Sequence, residues 1–140
     1  MVYGGVMMLS SLNSDVGCLF LRISVGGMML FHGVAKMMHP ASLDFISGML
    51  SSNNLPGFLA YGVYLGEVLA PLMIIVGYQA RLGGLIIFIN MLFALSLAHT
   101  GDFFSLTEHG GWAVELQMFY LMSALSIVFL GSGTLAFKQD

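Results

Sequence analysis

Residues Val16–Met38 form an apolar run of bilayer-spanning length that contains Arg22, His32 and Lys36. A helix needs about 20 mostly apolar residues to cross the hydrocarbon core, and this run supplies them. A charge inside such a segment costs roughly 2.5–3.5 kcal/mol on insertion scales, so it faces protein partners or a water-filled space rather than lipid. At about 100° per residue, Arg22, Gly26, Met29, Gly33 and Lys36 share one narrow stripe of the helix. His32 sits one turn before Lys36 and points toward the same space. The stripe predicts a polar seam between helices, and the rest of the chain must supply the partners.

The surrounding composition leaves no soluble alternative. Of 140 residues 58% are hydrophobic and only 8% charged, with a mean hydropathy of +0.92, against about 25% charged in a soluble domain. The chain reads as one integral membrane domain, residues 1–140. Its net charge of −3 includes no basic run, which sets nucleic acid aside. A single cysteine, Cys18, excludes an internal disulfide or a dithiol pair. Val16-Gly17-Cys18 is similar to a lipoprotein cleavage site. However, Asp15 stands where an apolar residue is needed and no Lys or Arg precedes it, so Val16–Met38 is read as a retained span.

The expected architecture is all-α, a four-transmembrane-helix bundle with a short interfacial helix between spans one and two. The spans fall at about 16–38, 58–78, 82–99 and 112–130. Residues 1–15 read as a short interfacial helix or a frayed tail, with the Ser/Asn/Asp cluster before Val16 starting the first span. Ala41–Ser51 has Leu43, Ile46, Met49 and Leu50 at helical spacing but is too short to cross. Pro71 leaves the carbonyl of Glu67 without its helical donor, so a local kink is expected there. Gln79-Ala80-Arg81 reads as the turn into span three. Trp112 reads as an interface anchor for span four. Four spans put both termini on one side. Arg81 and Lys138, with Arg22 toward the same end, make that side cytoplasmic by the positive-inside rule.

Sorting polar residues by a rise of about 1.5 Å per residue puts Arg22 in the inner third, with Glu67 and Asn90 near the midplane. His32 comes next, and Lys36, Glu115, Gln117 and His99 lie at the outer boundary. The simplest seam pairs Glu67 with Arg22 or His32, and Lys36 with Glu115. Such pairs either fasten a bundle whose helices gain no hydrophobic drive from one another or line a pocket. Gly26, Gly33, Gly62, Gly66 and Gly77 read as close-packing positions, Gly62 and Gly66 as a small-xxx-small pair.

Other chemistries fit less well. Met28-Met29 and Met37-Met38-His39 suggest soft copper ligands. Adjacent helical residues diverge by about 100°, so the 12 methionines read as apolar filler. His99, Asp102, Glu108 and His109 match no metal-ligand spacing. His32 and His99 serve poorly as haem ligands. No nucleophile, phosphate-loop or flavin motif occurs, and no cofactor is evident in the chain.

Arg22, His32-Gly33-Val34-Ala35-Lys36, Gly66-Glu67, Gly77 with Arg81, and the closing Gly131-Ser132-Gly133 together resemble the DoxX family, across about Val16–Gly133. Ser132 stands where the family motif usually has proline. The resemblance implies a small four-helix bacterial inner-membrane protein whose relatives include membrane subunits of quinone-linked oxidoreductases. It offers Arg22, His32, Lys36, Glu67 and Arg81 as candidate motif residues.

Three readings follow. In the first, the chain is a membrane subunit that binds quinone, with electrons arriving from a protein partner. Glu67 or His32 exchanges the proton, Lys36 or Arg22 polarises the carbonyl, and Asn90, Glu115 and Gln117 complete the pocket. Arg81, Gly33, Gly66 and Pro71 are structural. The second is a non-catalytic module that binds lipid or another small apolar molecule, or scaffolds a complex. The third is a proton-coupled transporter, disfavoured by the short chain without an internal repeat unless it forms a homo-oligomer.

Overall fold

The computed structural model describes residues 2–140, with side chains from Asn13 onward. Among these residues there are five helices and no strand: α1 (Val2–Met38), α2 (Ala41–Ser52), α3 (Gly57–Val76), α4 (Ala80–Ala98) and α5 (Glu115–Leu130). Residues Asn13–Met38 of α1, together with α3 and α4, are each long and apolar enough to cross a bilayer. Helix α5 is apolar, but its 16 residues reach only about 24 Å. The short helix expected after span one is α2. Large apolar side chains such as Phe20, Phe31, Phe58, Phe119 and Phe129 point outward around the bundle. In water that would be an aggregation surface; in lipid it is the natural exterior of a helical membrane bundle.

Inside, α4 and α5 form the most extensive helix pair, joined through Ile87, Met91, Leu121, Ala124 and Ile127 to Val25, Met29 and Ile74 of the opposite pair. The stripe read on α1 is its inner face, with Arg22 and Met29 each 1% exposed and Gly26 and Gly33 buried. Gly26 is needed for close approach, since a Cβ there would lie 3.0 Å from the carbonyl oxygen of Pro71.

Several boundaries differ from those read on the sequence. Helix α1 does not begin at the Ser/Asn/Asp cluster, for its backbone is helical from Val2 onward. The side chains of residues 1–12 lie outside the described set. Asp15 lies inside this helix rather than at its start. Its carboxylate instead accepts from the backbone N–H of Thr134 at 2.9 Å, a tertiary use of a residue whose sequence context suggested a local one. Helix α5 begins at Glu115 rather than Trp112. The Trp112 indole donates to the Phe103 carbonyl at 2.7 Å and meets the Phe103 ring edge-on at 5.4 Å, folding the preceding loop on itself.

Helix α3 is not uniform. It opens as a 3₁₀ turn over Gly57–Tyr61, passes through Gly62–Tyr64, widens to a π turn over Leu65–Leu69, and closes as α-helix over Ala70–Val76. The disturbance expected beside Pro71 thus takes the form of a π turn ending at Leu69, two residues before it, a rare single-turn bulge of the kind found at helix kinks. Gly77 ends α3 in the left-handed region (φ 74°), and Gln79 follows at φ 48°. The turn is therefore Gly77–Gln79, and Ala80 and Arg81 already belong to α4.

Residues 131–140 form a strap across the end of the bundle where α3 meets α4. Phe137 and Lys138 donate backbone N–H groups to the carbonyls of Val76 and Gly77, each at 3.1 Å. The guanidinium of Arg22 donates to the carbonyls of Ser132 and, at 2.7 Å, Leu135. Arg81 donates through its side chain to the Val128 carbonyl at 3.0 Å. A buried guanidinium without a carboxylate is stabilised here by backbone dipoles. Arg22→Met should therefore leave the buried Ser132 carbonyl and the part-buried Leu135 carbonyl without their donor and release the strap. Limited proteolysis in detergent should cut the variant after Leu130 at least about tenfold faster than wild type, corresponding to about 1.4 kcal/mol of local stability. An unchanged cutting rate would show that the strap holds without Arg22.

Candidate functional site

The site begins with the π turn. Pro71 cannot donate to the Glu67 carbonyl, and the widened turn places Glu67 inside the bundle, 5% exposed. Gly33 of α1 packs on that carbonyl group; a Cβ at position 33 would lie 2.7 Å from its carbon and overlap its oxygen. This contact sets the register between α1 and α3. Lys36, just under one turn beyond Gly33, reaches the Oε2 atom of Glu67 in a direct ion pair. Asn90 of α4 donates its side-chain N–H to Oε1 of Glu67 at 3.4 Å. Gly66 makes room for this, because a Cβ there would collide with the Asn90 side chain.

Lys36, Glu67 and Asn90 form the polar wall of a cavity of about 850 Å³ bounded by the end of α1, α2, α3 and α4. The remaining wall is mostly apolar, including Phe45, Met49, Leu59, Ile86, Phe93 and Leu97, with Ser42 on α2 and His99 at the far end of α4. An apolar chamber with a few convergent polar groups is the ordinary form of a small-molecule site. Its paired charges cancel, so the chamber suits a neutral ligand with polar oxygens.

This arrangement corrects the pairing drawn from depth alone. Glu67 pairs with Lys36, not with Arg22 or His32, and Lys36 does not pair with Glu115. Because Glu67 lies level with Gly33, Arg22 is eleven residues away along α1, about 16 Å, and serves the strap at the opposite end. His32 is level with Glu67, but its side chain lies outside the stripe. It is exposed, with its ring edge-on to Tyr120 at 5.8 Å. Glu115 is exposed beside Gly111. Gln117 bonds Nε2 of His99 at 3.0 Å. Gly62 meets nothing within 4 Å, so Gly66 acts without it. Gly77 does pack closely, against Arg22 and Ala136.

The sequence reading missed two elements. The first is the set of strap carbonyls that receive Arg22, which carry no side-chain signal. The second is His99 as a cavity residue. Its sequence clue was its depth, at the outer boundary with Lys36 and Gln117.

At the strap end, the Asp140 carboxylate accepts from the backbone N–H of Arg81 at 2.8 Å and of Ser132 at 2.9 Å, while the Ser132 hydroxyl accepts from the Asp140 N–H at 3.1 Å. Partial burial alone would raise its pKa. The hydrogen bonds from Arg81 and Ser132, with the Arg81 charge, outweigh that and hold it below its ordinary 3.8. A carboxylate held low contributes stability above its unfolded pKa and loses it as pH falls through the folded value. Wild type should therefore lose more thermal stability than Asp140→Asn between about pH 5 and about pH 2. The difference should stay under about 1 kcal/mol because the group is solvent-exposed. Parallel melting curves would contradict this assignment.

Comparison with known proteins places the chain among relatives. The family model described as DoxX matches residues 17–100, a stretch that includes Arg22, His32, Gly33, Lys36, Gly66, Glu67, Pro71, Arg81 and Asn90 and stops before Glu115, Gln117 and the closing glycine motif. An uncharacterized protein of Haemophilus influenzae strain Rd is 32% identical over 121 residues, covering 84% of each chain. No solved structure matches. The match spans more than half of the chain and takes in the Lys36–Glu67–Asn90 wall: this protein belongs to the DoxX family.

Proposed function

We propose that this protein is a membrane subunit of a quinone-linked oxidoreductase and that the cavity between α1, α2, α3 and α4 receives the quinone. The observation that carries this reading is the Lys36–Glu67–Asn90 wall at the end of an otherwise mostly apolar chamber of about 850 Å³. A quinone needs hydrogen bonds at its ring oxygens and an apolar slot for ring and tail, and both are present in one space. The Lys36 ammonium has three donors, one engaged by Glu67, and is the group to polarise a ring carbonyl. Glu67 is the acceptor for a quinol hydroxyl. Reducing a quinone takes two electrons and two protons. The electrons would come from a partner polypeptide carrying a redox centre, since the sequence has no motif for one. Arg22 and His32 have no part in this version, because one serves the strap and the other faces outward.

The second reading, a non-catalytic lipid-binding module, is favoured by the exposed apolar residues Phe45, Leu59, Leu65, Ile89 and Phe93 along the cavity wall. They would admit an acyl chain as readily as an isoprenoid tail. The charge distribution supports a bacterial inner-membrane protein with the strap end cytoplasmic. Arg22, Arg81 and Lys138 lie toward that end, and Asp44, Asp102 and Glu108 toward the other.

Native mass spectrometry of protein in nanodiscs, titrated with decylubiquinone, tests the proposal. Saturable one-to-one binding is expected. Glu67→Gln should weaken binding of the reduced form, decylubiquinol, whose hydroxyl donates to Glu67, at least about tenfold, in line with the roughly 1.5–3 kcal/mol of a hydrogen bond to a charged group, and His32→Ala should leave binding of both forms unchanged. Retained phospholipid with no decylubiquinone binding would transfer the assignment to the lipid module.

A further inference from the structure

Glu67 lies in the middle of α3 (Gly57–Val76) and Asn90 in the middle of α4 (Ala80–Ala98), and both helices are long enough to cross a bilayer. The polar wall of the cavity therefore stands near the midplane, about 15 Å from either headgroup layer. On the strap side of this level α3 and α4 are in close contact. A Cβ at Gly83 would lie 3.1 Å from the Ala70 carbonyl oxygen and 2.7 Å from the Ile74 side chain. At the wall itself Gly66 receives the Asn90 side chain. Toward α2 the two helices part. The opening 3₁₀ turn of α3, Gly57–Tyr61, packs chiefly against α2, while α4 keeps to the π turn and the segment after it.

The parting leaves a slot that starts at the polar wall and runs toward the α2 end. Its edges at the level of the wall are Leu65, 54% exposed, and Ile89, 44% exposed, and both also line the cavity. Phe93, exposed and lining as well, continues the α4 edge one turn on. Residues that face the cavity and the exterior at once mark an opening, and at this depth the exterior is hydrocarbon. The α2 end gives a ligand less to bind. His99 has both ring nitrogens engaged, Nδ1 by Asp102 at 3.2 Å and Nε2 by Gln117 at 3.0 Å, which leaves Ser42 as the remaining polar lining side chain there.

We propose that the cavity takes its ligand sideways from the bilayer core, through the slot between Leu65 and Ile89, and that this ligand is an uncharged amphiphile with a small oxygen-bearing head on a long apolar chain. The head reaches Lys36, Glu67 and Asn90 while the chain lies along the slot in contact with lipid. A phospholipid does not suit this geometry in either direction. With its head at the wall, a phosphate would stand at the midplane beside the Glu67 carboxylate, with Lys36 already paired, where charge is most costly. With its head at the α2 end, an acyl chain would press on the ion pair and offer the Lys36 donors no acceptor. Quinones and isoprenoid alcohols both meet the requirement. Occupancy of this cavity by a ligand rests on the quinone reading; the route and the uncharged head do not require a quinone.

Photolabelling in nanodiscs tests this with two probes, decylubiquinone and farnesol, each carrying a diazirine on the chain next to the head. Labels that excess unlabelled probe competes away are located by mass spectrometry, and they should fall on Leu65 and Ile89. Joint Leu65→Trp and Ile89→Trp substitution, which fills the mouth of the slot, should slow labelling of the adjoining wall at least about tenfold. Leu85→Trp, at an exposed position of α4 one turn away, should not. The label positions in wild type decide the route even where the double variant fails to fold. Competed labels on Phe45 or Met49 of α2 would put the head at the aqueous end and overturn the proposal, as would an unchanged rate in the folded double variant. A phosphatidylcholine with its diazirine beside the glycerol, giving competed labels at Leu65 and Ile89, would overturn the uncharged head. Farnesol labels with none from decylubiquinone would sink the quinone reading and leave the slot standing. No competed label from either probe would overturn both.

Discussion

Lys36→Met is expected to destabilise the protein by about 3–5 kcal/mol, the usual loss when one partner of a buried ion pair is removed. Glu67 would keep its place inside the π turn, with Asn90 at 3.4 Å as its remaining side-chain partner, because the Gly33 contact leaves α3 no freedom to carry it toward water. The reverse substitution is milder. After Glu67→Leu the Lys36 side chain, already 25% exposed, extends its ammonium along the cavity toward the α2 end, as long cationic side chains do. The double variant Lys36→Met with Glu67→Leu removes both charges and should recover most of the loss. Thermal unfolding of the three variants in nanodiscs reads the asymmetry. Equal losses in both single variants would remove the asymmetry, and a double variant as unstable as their sum would show that the pair adds nothing beyond two separate packing sites.

Gly33→Ala is the second large effect. The added methyl would overlap the backbone carbonyl of Glu67, and backbone cannot swing aside as a flexible side chain can. Overpacking usually costs 1–3 kcal/mol and occasionally more; with two helix backbones in contact we expect about 3 kcal/mol or more. The separation of α1 from α3 should also pull Lys36 off Glu67 and weaken decylubiquinone binding. Gly27→Ala is the matched control. It lies on the same helix, where a Cβ meets nothing within 4 Å. It should be neutral or stabilise by up to about 1 kcal/mol through helix propensity. Equal melting temperatures for the two variants would remove Gly33 from its proposed place as the register point.

Much of this molecule could be read from residue order. The apolar runs, the turn residues between them and the inward stripe of α1 depend on local periodicity, and local periodicity survives folding. Lys36, Glu67 and Asn90 could be singled out for the same reason: polar groups in lipid-length segments are too costly to face outward. Their partners could not be read. Depth estimated by counting residues assumes straight, regular helices that start at the same level. Helix α3 violates that assumption, with a 3₁₀ turn at about 2.0 Å per residue and a π turn within 20 residues.

Membrane residence, an all-helical fold and the existence of a polar seam therefore belong to the sequence, because they follow from transfer energies and helical geometry that act over one or two turns. The Lys36–Glu67 pair, the cavity, the strap on Arg22 and the setting of His99 between Asp102 and Gln117 belong to the tertiary structure. Each depends on which backbone can approach which, and such an approach is settled by contacts like Gly33 on Glu67. The residues that touch there lie 34 positions apart, and no local pattern in either helix encodes the meeting.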